Sequence, residues 1–196
     1  PLIVIGNEFL DALPIHQAIN VNDQWFEHCI SVVNDKLSFV QGAPLRAKNL
    51  PDPHGKNIYE FSPRREGAHR EICERISNQK DLILWADYGF ERGENKASLQ
   101  AVKAHKNVDV LRDVGACDLT SLVDFESLVN VTPDGLDISD IVTQSDFLKF
   151  CGIDVRVENL CKLNPQDRDV ILSGYYRLVD QDQMGHLFKV LAVSKT

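Results

Sequence analysis

The segment Leu2-Ile3-Val4-Ile5, closed by Gly6-Asn7-Glu8, constrains the fold most. An unbroken apolar run that stops at a glycine and two polar residues reads as a strand buried on both faces, the kind found inside parallel sheets. Such a strand needs a neighbour on each edge to satisfy its backbone. A second run, Asp81 to Ala86 (DLILWA), also ends in polar residues, Asp87-Tyr88-Gly89. Between them Ser62-Pro63 announces a helix, with serine as N-cap and proline at the first helical position. Ala68, Ile72 and Ile76 supply its apolar stripe, and it is expected to run to about Asn78. Strand, helix, strand is the unit of α/β folding. Pro1 opens directly onto the first strand with neither an initiator Met nor a polar lead-in, which reads as a cut end with chain missing upstream.

The intervening residues break this parallel pattern. His16 to Val21, Gln24 to Val33 and Lys36 to Val40 are β-rich, and Asn22-Asp23 and Asn34-Asp35 punctuate them as turn pairs, giving an antiparallel meander. Gly42 to Gly55, with Pro44, Pro51 and Pro53, reads as surface loop. Downstream, Phe90 to Asn107 reads as loop with a short ordered segment, and Asp118 to Val129 as a helix. Ile138 to Thr143 is expected to be a strand, Gln144 to Gly152 a helix begun at Ser145, Asn164 to Val179 a longer helix, and Leu187 to Val193 the last strand.

Composition narrows function mainly by exclusion. A net charge of −8 argues against nucleic acid as a partner, because phosphate contacts need a basic surface. Five cysteines stand singly, without a CxxC pair, which fits a reducing compartment. The six histidines form no HExxH or Cys/His spacing, so no metal is expected. No apolar stretch approaches the roughly 20 residues of a membrane span. Neither GxGxxG nor GxxxxGK[ST] is present to cradle a phosphate, which disfavours a dinucleotide-dependent dehydrogenase, and no GxSxG elbow supports nucleophilic catalysis.

What the chain does offer is acid at the strand ends. In open parallel sheets ligands sit beyond the carboxyl ends of the strands. Asn7, Glu8 and Asp11 follow the first strand, and Asp87 with Tyr88 follows the second. If the strands are neighbours, these acids share one cleft suited to a cationic or amine-bearing substrate. The bland alternatives are that Asp11 caps the turn before Pro14, Asp87 caps a neighbouring loop and Tyr88 packs. His105, in Lys103-Ala104-His105-Lys106, reads by default as part of a solvated basic face.

In order along the chain, seven motifs resemble the MidA family of S-adenosyl-L-methionine (SAM)-dependent methyltransferases. They are GNEFLDALPIHQ (Gly6–Gln17), EFSP (Glu60–Pro63), DYGF (Asp87–Phe90), SLQAVKAH (Ser98–His105), DLTSLVDF (Asp118–Phe125), TQSDFL (Thr143–Leu148) and MGHLFKVLA (Met184–Ala192). The family includes bacterial proteins and mitochondrial protein-arginine methyltransferases of complex I assembly. The resemblance implies an α/β, Rossmann-like class I methyltransferase fold, of which residues 1–196 form the C-terminal portion and 16–55 an inserted β-meander with its loop. Pro1 to Asn7 would be the fourth strand and Asp81 to Asp87 the fifth. The family's glycine-rich SAM loop and ribose-holding acid lie upstream of this segment, so the isolated chain is expected to be inactive.

The implied activity is methyl transfer to a protein arginine side chain, with this chain carrying the substrate side of the cleft. Glu8, Asp11 and Asp87 are the catalytic candidates, Asn7 the cofactor-binding one, and Tyr88 and His105 the substrate-binding ones. The implied partners are a protein substrate of the complex I subunit type and the missing N-terminal half, or a second chain, pairing with the first strand. The implied compartment is the bacterial cytoplasm or the mitochondrial matrix. The alternative is a non-catalytic binding or assembly protein that keeps the methyltransferase fold.

Overall fold

The structure is a computed structural model that describes residues 1–46, 50–76, 80–91 and 97–195. Its central sheet is built on β1 (Ile3–Asn7) and β6 (Leu82–Phe90), which run parallel with Ile3 opposite Leu82 and Asn7 opposite Ala86. The last strand, β13 (Phe188–Ser194), lies antiparallel on the other side of β6. Short strands complete the sheet: β10 (Val123–Asp124) joins the carboxyl end of β6, and β11 (Asp137–Ile138) and β12 (Val142–Thr143) pair with β13.

Two expectations about these strands change. β1 buries one face only: Val4 packs against the core, whereas Ile3 is 61% and Ile5 68% exposed, and β1 has a strand on one edge among the described residues. β6 does not stop at Ala86, because β13 pairs with it through Tyr88 and β10 takes over at Gly89 and Phe90. Asp87 and Tyr88 therefore lie within a paired strand rather than in a loop beyond it.

α1 (Pro63–Cys73) crosses between these strands, begun by Ser62, whose Oγ accepts from the Arg65 amide at 3.2 Å. The expected end near Asn78 falls outside the described residues, and the helix stops at Cys73. Its buried positions are Arg65, His69 and Cys73, and of the expected stripe Ile72 packs against the core and Ile76, just past the helix end, is buried in it, while Ala68 is half-buried. The inward face thus carries two polar residues, Arg65 and His69, beside apolar ones, which is tolerable because those groups find buried partners.

The inserted strands β2 (His16–Val21), β3 (Gln24–Val33) and β4 (Lys36–Pro44) join β5 (Ile58–Phe61) in a second sheet of order β4-β3-β2-β5. At both hairpins the two central residues, Asn22-Asp23 and Asn34-Asp35, have φ between 50° and 60°. That is the left-handed geometry a two-residue hairpin turn needs, and Asn and Asp tolerate it best after glycine. A third, small sheet consists of β7 (Gln100–Lys103), β8 (Lys106–Val108) and β9 (Asp118–Thr120).

The helix expected over Asp118 to Val129 is thus β9, β10 and only then α2 (Phe125–Val131), capped by the Asp124 side chain. The strand expected over Ile138 to Thr143 is two two-residue pairings, β11 and β12. α3 (Gln144–Phe150) is capped by Thr143 instead of Ser145. α4 (Ile153–Leu163) has no counterpart in the sequence reading, and α5 (Arg168–Val179) follows a 3-10 turn at Pro165–Asp167. A short α6 (Met184–Leu187) leads into β13.

The core joins the central sheet to α1 and α2 through Leu10, Cys73, Ile76, Ile83, Trp85, Val123, Phe125, Leu128, Leu191 and Val193. Trp85 fixes the spacing of the parallel pair: a Cβ added at Gly6 would lie 2.3 Å from its ring. Gly6→Ala is therefore expected to cost about 1–3 kcal/mol through overpacking. Gly67→Ala, in an open position on α1, is expected to stabilise by about 0.5–1 kcal/mol through helix propensity. Urea denaturation midpoints of the two variants check this, and equal shifts would refute it.

Candidate active site

At the carboxyl end of β1 the chain turns sharply through Glu8 to Leu13. Glu8 has φ 50° and its amide donates to the Ala86 carbonyl at 3.1 Å, which ties the turn's first residue to the neighbouring strand. The amides of Phe9, Leu10 and Asp11 all donate to Asp87 Oδ2, at 3.1, 2.8 and 3.2 Å. Asp87 Oδ1 accepts from the Tyr88 amide at 2.9 Å. Asp87 is 1% exposed, so both of its oxygens serve the backbone.

The same turn is held from the other side by Arg65, which is 4% exposed. Its Nε donates to Leu10 O at 2.6 Å and an η nitrogen to Asp11 O at 2.9 Å. The rest of the guanidinium reaches Leu122 O at 2.7 Å, Ser121 O at 3.0 Å and Ser121 Oγ at 2.7 Å. A planar guanidinium with five donors is the side chain able to gather carbonyls from two loops at once. Ser62 completes the clamp, since its Oγ caps α1 and also donates to Pro14 O at 2.6 Å.

The charges are arranged accordingly. Burial, with the nearby Asp11 charge next, pushes Asp87 up to about 6, while the donated amides pull the other way. Asp11, 4% exposed, is raised by burial and then by Glu8. Burial lowers Arg65, opposed first by Asp87 and then by Asp11.

The expected residues divide clearly. Asn7, Glu8, Asp11 and Asp87 are brought together, with Asn7 and Glu8 exposed and the two aspartates buried. Tyr88 is half-buried, its ring tilted against Phe188 with centroids 4.0 Å apart. His105 stands exposed at the β7–β8 turn with φ 60°, and no hydrogen bond or ion pair among the described residues joins it to the acids. Arg65 went unread in the sequence, because a charged side chain three residues into a helix is by default solvated. Glu60 also went unread, although it lies in EFSP. It is 7% exposed and accepts from Gln17 Nε2 at 2.7 Å and from the Ser98 and Leu99 amides at 3.0 and 3.1 Å, which fastens the inserted sheet to the strand-end loops.

Two cavities flank this assembly. One of about 490 Å³ is lined by Tyr59, Phe61, Glu66, Asp124 and Asn130, and one of about 340 Å³ by Ile15, His16, His28, Phe39 and Phe61. Neither is lined by Glu8, Asp11 or Asp87. Among the described residues no group of three or more His, Cys, Asp or Glu side chains could hold a metal ion.

A second buried polar group lies behind Asp87 in the core. Trp85 Nε1 donates to His69 Nδ1 at 3.0 Å, so the ring proton sits on Nε2, which faces Thr132 Oγ1 at 2.9 Å. Burial pushes His69 down to about 4, from an ordinary 6.5. His69 thus binds a proton less readily folded than unfolded, so its contribution to stability is present above pH 6.5 and lost as pH falls towards 4. Asp87 is the reverse: its folded value of about 6 exceeds the ordinary 3.8, so its contribution is present below 3.8 and lost as pH rises through 6. Each is worth about 3 kcal/mol at most and they offset each other. Relative to the unsubstituted chain, Asp87→Asn is expected to make stability rise more steeply from pH 4 to 6.5, and His69→Gln to make it fall. Urea unfolding across that range reads both slopes, and parallel curves would refute the assignment.

Comparison with known proteins gives these residues a context. A family model described as "Putative S-adenosyl-L-methionine-dependent methyltransferase" matches residues 1–142. The chain is 34% identical over 200 residues to the mitochondrial protein arginine methyltransferase NDUFAF7 of Xenopus laevis, covering 96% of this chain and 45% of that protein. It is 36% identical over 202 residues to the Caenorhabditis elegans homolog, covering 97% and 47%. It therefore spans about half the length of the curated relatives it matches. A Burkholderia thailandensis crystal structure, bound to S-adenosyl-homocysteine, superposes with a TM-score of 0.86 at 24% identity, over 98% of this chain and 53% of that one, and shares its fold. With the family model covering more than half of its residues, the chain belongs to this family of S-adenosyl-L-methionine-dependent methyltransferases.

Proposed function

We propose that this chain forms the substrate-facing part of a SAM-dependent protein-arginine methyltransferase of the complex I assembly type. The observation that carries the reading is the clamped turn, which presents Glu8 in the open at the carboxyl end of a parallel strand pair while Asp87 and Arg65 hold its backbone. In this reading β1 and β6 correspond to the fourth and fifth strands of a Rossmann-like methyltransferase sheet, and β2 to β4 with the following loop are its insertion. The outer edge of β1 then receives the remaining strands, from the rest of a longer protein or from a second chain. The names of the relatives support a mitochondrial setting, which we take to be the matrix, and a protein substrate. Among the described residues no helix is long and apolar enough to cross a membrane.

SAM, when bound, supplies the methyl group. Asn7, exposed at the strand end beside the turn, fits the edge of such a site, where its amide can both donate and accept. Glu8 accepts hydrogen bonds from the nitrogens of a guanidinium that are not methylated, fixing its plane and drawing positive charge away from the third. Asp11, behind Glu8, adds negative potential. Asp87 has no free oxygen for substrate, and we assign it to positioning the turn rather than to contact. Tyr88 and His105 remain the proposed outer substrate contacts.

The test uses the full-length protein with labelled SAM and an arginine-bearing substrate protein. Glu8→Gln is expected to lower kcat by about 10²-fold while SAM binding by calorimetry is unchanged. Undiminished methyl transfer removes Glu8 from catalysis. Failure of the unsubstituted protein to bind SAM favours the assembly-protein alternative.

A further inference from the structure

His28, on β3 of the inserted sheet, has no part in the chemistry at the strand ends, yet it lines the cavity of about 340 Å³ together with Gln17, Glu27, Phe39 and Phe61. Its ring stacks on Phe39 with centroids 4.4 Å apart, and in the same lining His16 stacks on Phe61 at 5.3 Å. A run of hydrogen bonds fixes which nitrogen of His28 carries the proton. The Leu122 amide donates to Ser98 Oγ at 2.9 Å, so the Ser98 hydroxyl donates onward to Glu60 Oε2. Glu60 Oε1 accepts from the Ser98 and Leu99 amides at 3.0 and 3.1 Å, which makes it an acceptor towards Gln17 as well. Gln17 therefore presents Nε2 to it, at 2.7 Å, and turns Oε1 towards His28. An amide oxygen can only accept, so His28 Nδ1, 2.8 Å away, is the protonated nitrogen. Burial lowers the His28 pKa below its ordinary 6.5, so near neutral pH the ring holds that one proton and Nε2 is a bare acceptor. Nε2 has no hydrogen-bond partner among the described residues.

The rest of the lining selects what that acceptor takes. Among the described residues that line the cavity there is no Lys or Arg, and Glu27, itself exposed, is the one acid. An anion would meet the Glu27 carboxylate and the Nε2 lone pair with no Lys or Arg to hold it. A ligand that fits gives an N–H to Nε2, brings positive charge towards Glu27 and has a flat face for the aromatic walls. An ammonium lacks the flat face and a neutral amide lacks the charge, whereas a guanidinium has all three properties. We propose that His28 is a substrate-binding residue, accepting through Nε2 an N–H of a guanidinium that lies among the aromatic walls of this cavity. The proposal rests on the protein-methyltransferase reading for the source of that group, an arginine of the substrate protein. It is a second arginine, distinct from the methylated one, because Glu8 does not line this cavity.

Nitrogen NMR of the full-length protein, isotope-labelled at histidine, is the test, with N-acetyl-arginine methylamide as the probe. Near neutral pH the free protein should show His28 with Nδ1 protonated and Nε2 unprotonated, the resonances being assigned by their loss in His28→Phe. The probe should move the Nε2 resonance saturably towards the protonated value, and N-acetyl-norleucine methylamide, which has no guanidinium, should not. Gln17→Met, which removes the acceptor that holds the Nδ1 proton, is expected to raise the dissociation constant read from that shift by about fivefold. Glu27→Gln, an exposed change that spares the sheet even where Gln17→Met unfolds it, should raise it about twofold, and Glu8→Gln should leave it unchanged. A proton on Nε2 in the free protein, no response to the arginine probe, an equal response to the norleucine probe, or a constant unmoved by Glu27→Gln would each overturn the proposal. Methyl transfer undiminished in Glu8→Gln would remove Glu8 from catalysis while leaving the His28 resonances as expected, so the two readings fail separately.

Discussion

One buried carboxylate and one buried guanidinium hold opposite sides of a single turn, and the rest of the site depends on them. Asp87 takes the amides of Phe9, Leu10 and Asp11, and Arg65 takes the carbonyls of Leu10 and Asp11. A turn whose amides converge on one point would ordinarily be left to water. Here it lies against the core, with Leu10 fully buried, so leaving those groups unpaired would cost several kcal/mol. The Asp87 charge favours the charged form of Arg65, which offsets part of the cost of burying the guanidinium.

This arrangement explains why α1 turns two polar residues inward. Arg65 reaches the turn, and one helical turn on, His69 accepts from Trp85, the residue whose ring also dictates glycine at position 6. Glu60, just before the helix cap, does for the inserted sheet what Asp87 does for the strand end. Each polar group is satisfied by backbone or by a fixed partner, so the site is built on rigid elements. Preorganisation of that kind is what methyl transfer needs, because its catalysis is mostly positioning.

Much of this was legible in the sequence. The parallel pairing of the two apolar runs, the Ser62-Pro63 helix start and the Asn-Asp hairpin turns follow from local rules and are found in the structure. Asn7, Glu8, Asp11 and Asp87 were grouped because both strands end in acid, and they do cluster. What could not be read depends on tertiary partners. β6 continues past Ala86 only because β13 and β10 pair with it. Arg65 and Glu60 look like surface residues until the carbonyls and amides they serve are assembled. The turn at Ala104-His105 adopts left-handed geometry with residues that do not advertise it. α4 was missed because Gly152 before it and Asn164-Pro165 after it were read as the stop of one helix and the start of the next, leaving the residues between them unassigned.

The account stands on the clamp, and amide hydrogen exchange measures it directly. In the unsubstituted chain the amides of Phe9, Leu10 and Asp11 should exchange as slowly as those of β6. In Asp87→Ala they should become fast while β6 stays protected. Fast exchange at these three amides in the unsubstituted chain, or slow exchange that survives loss of the carboxylate, would contradict it.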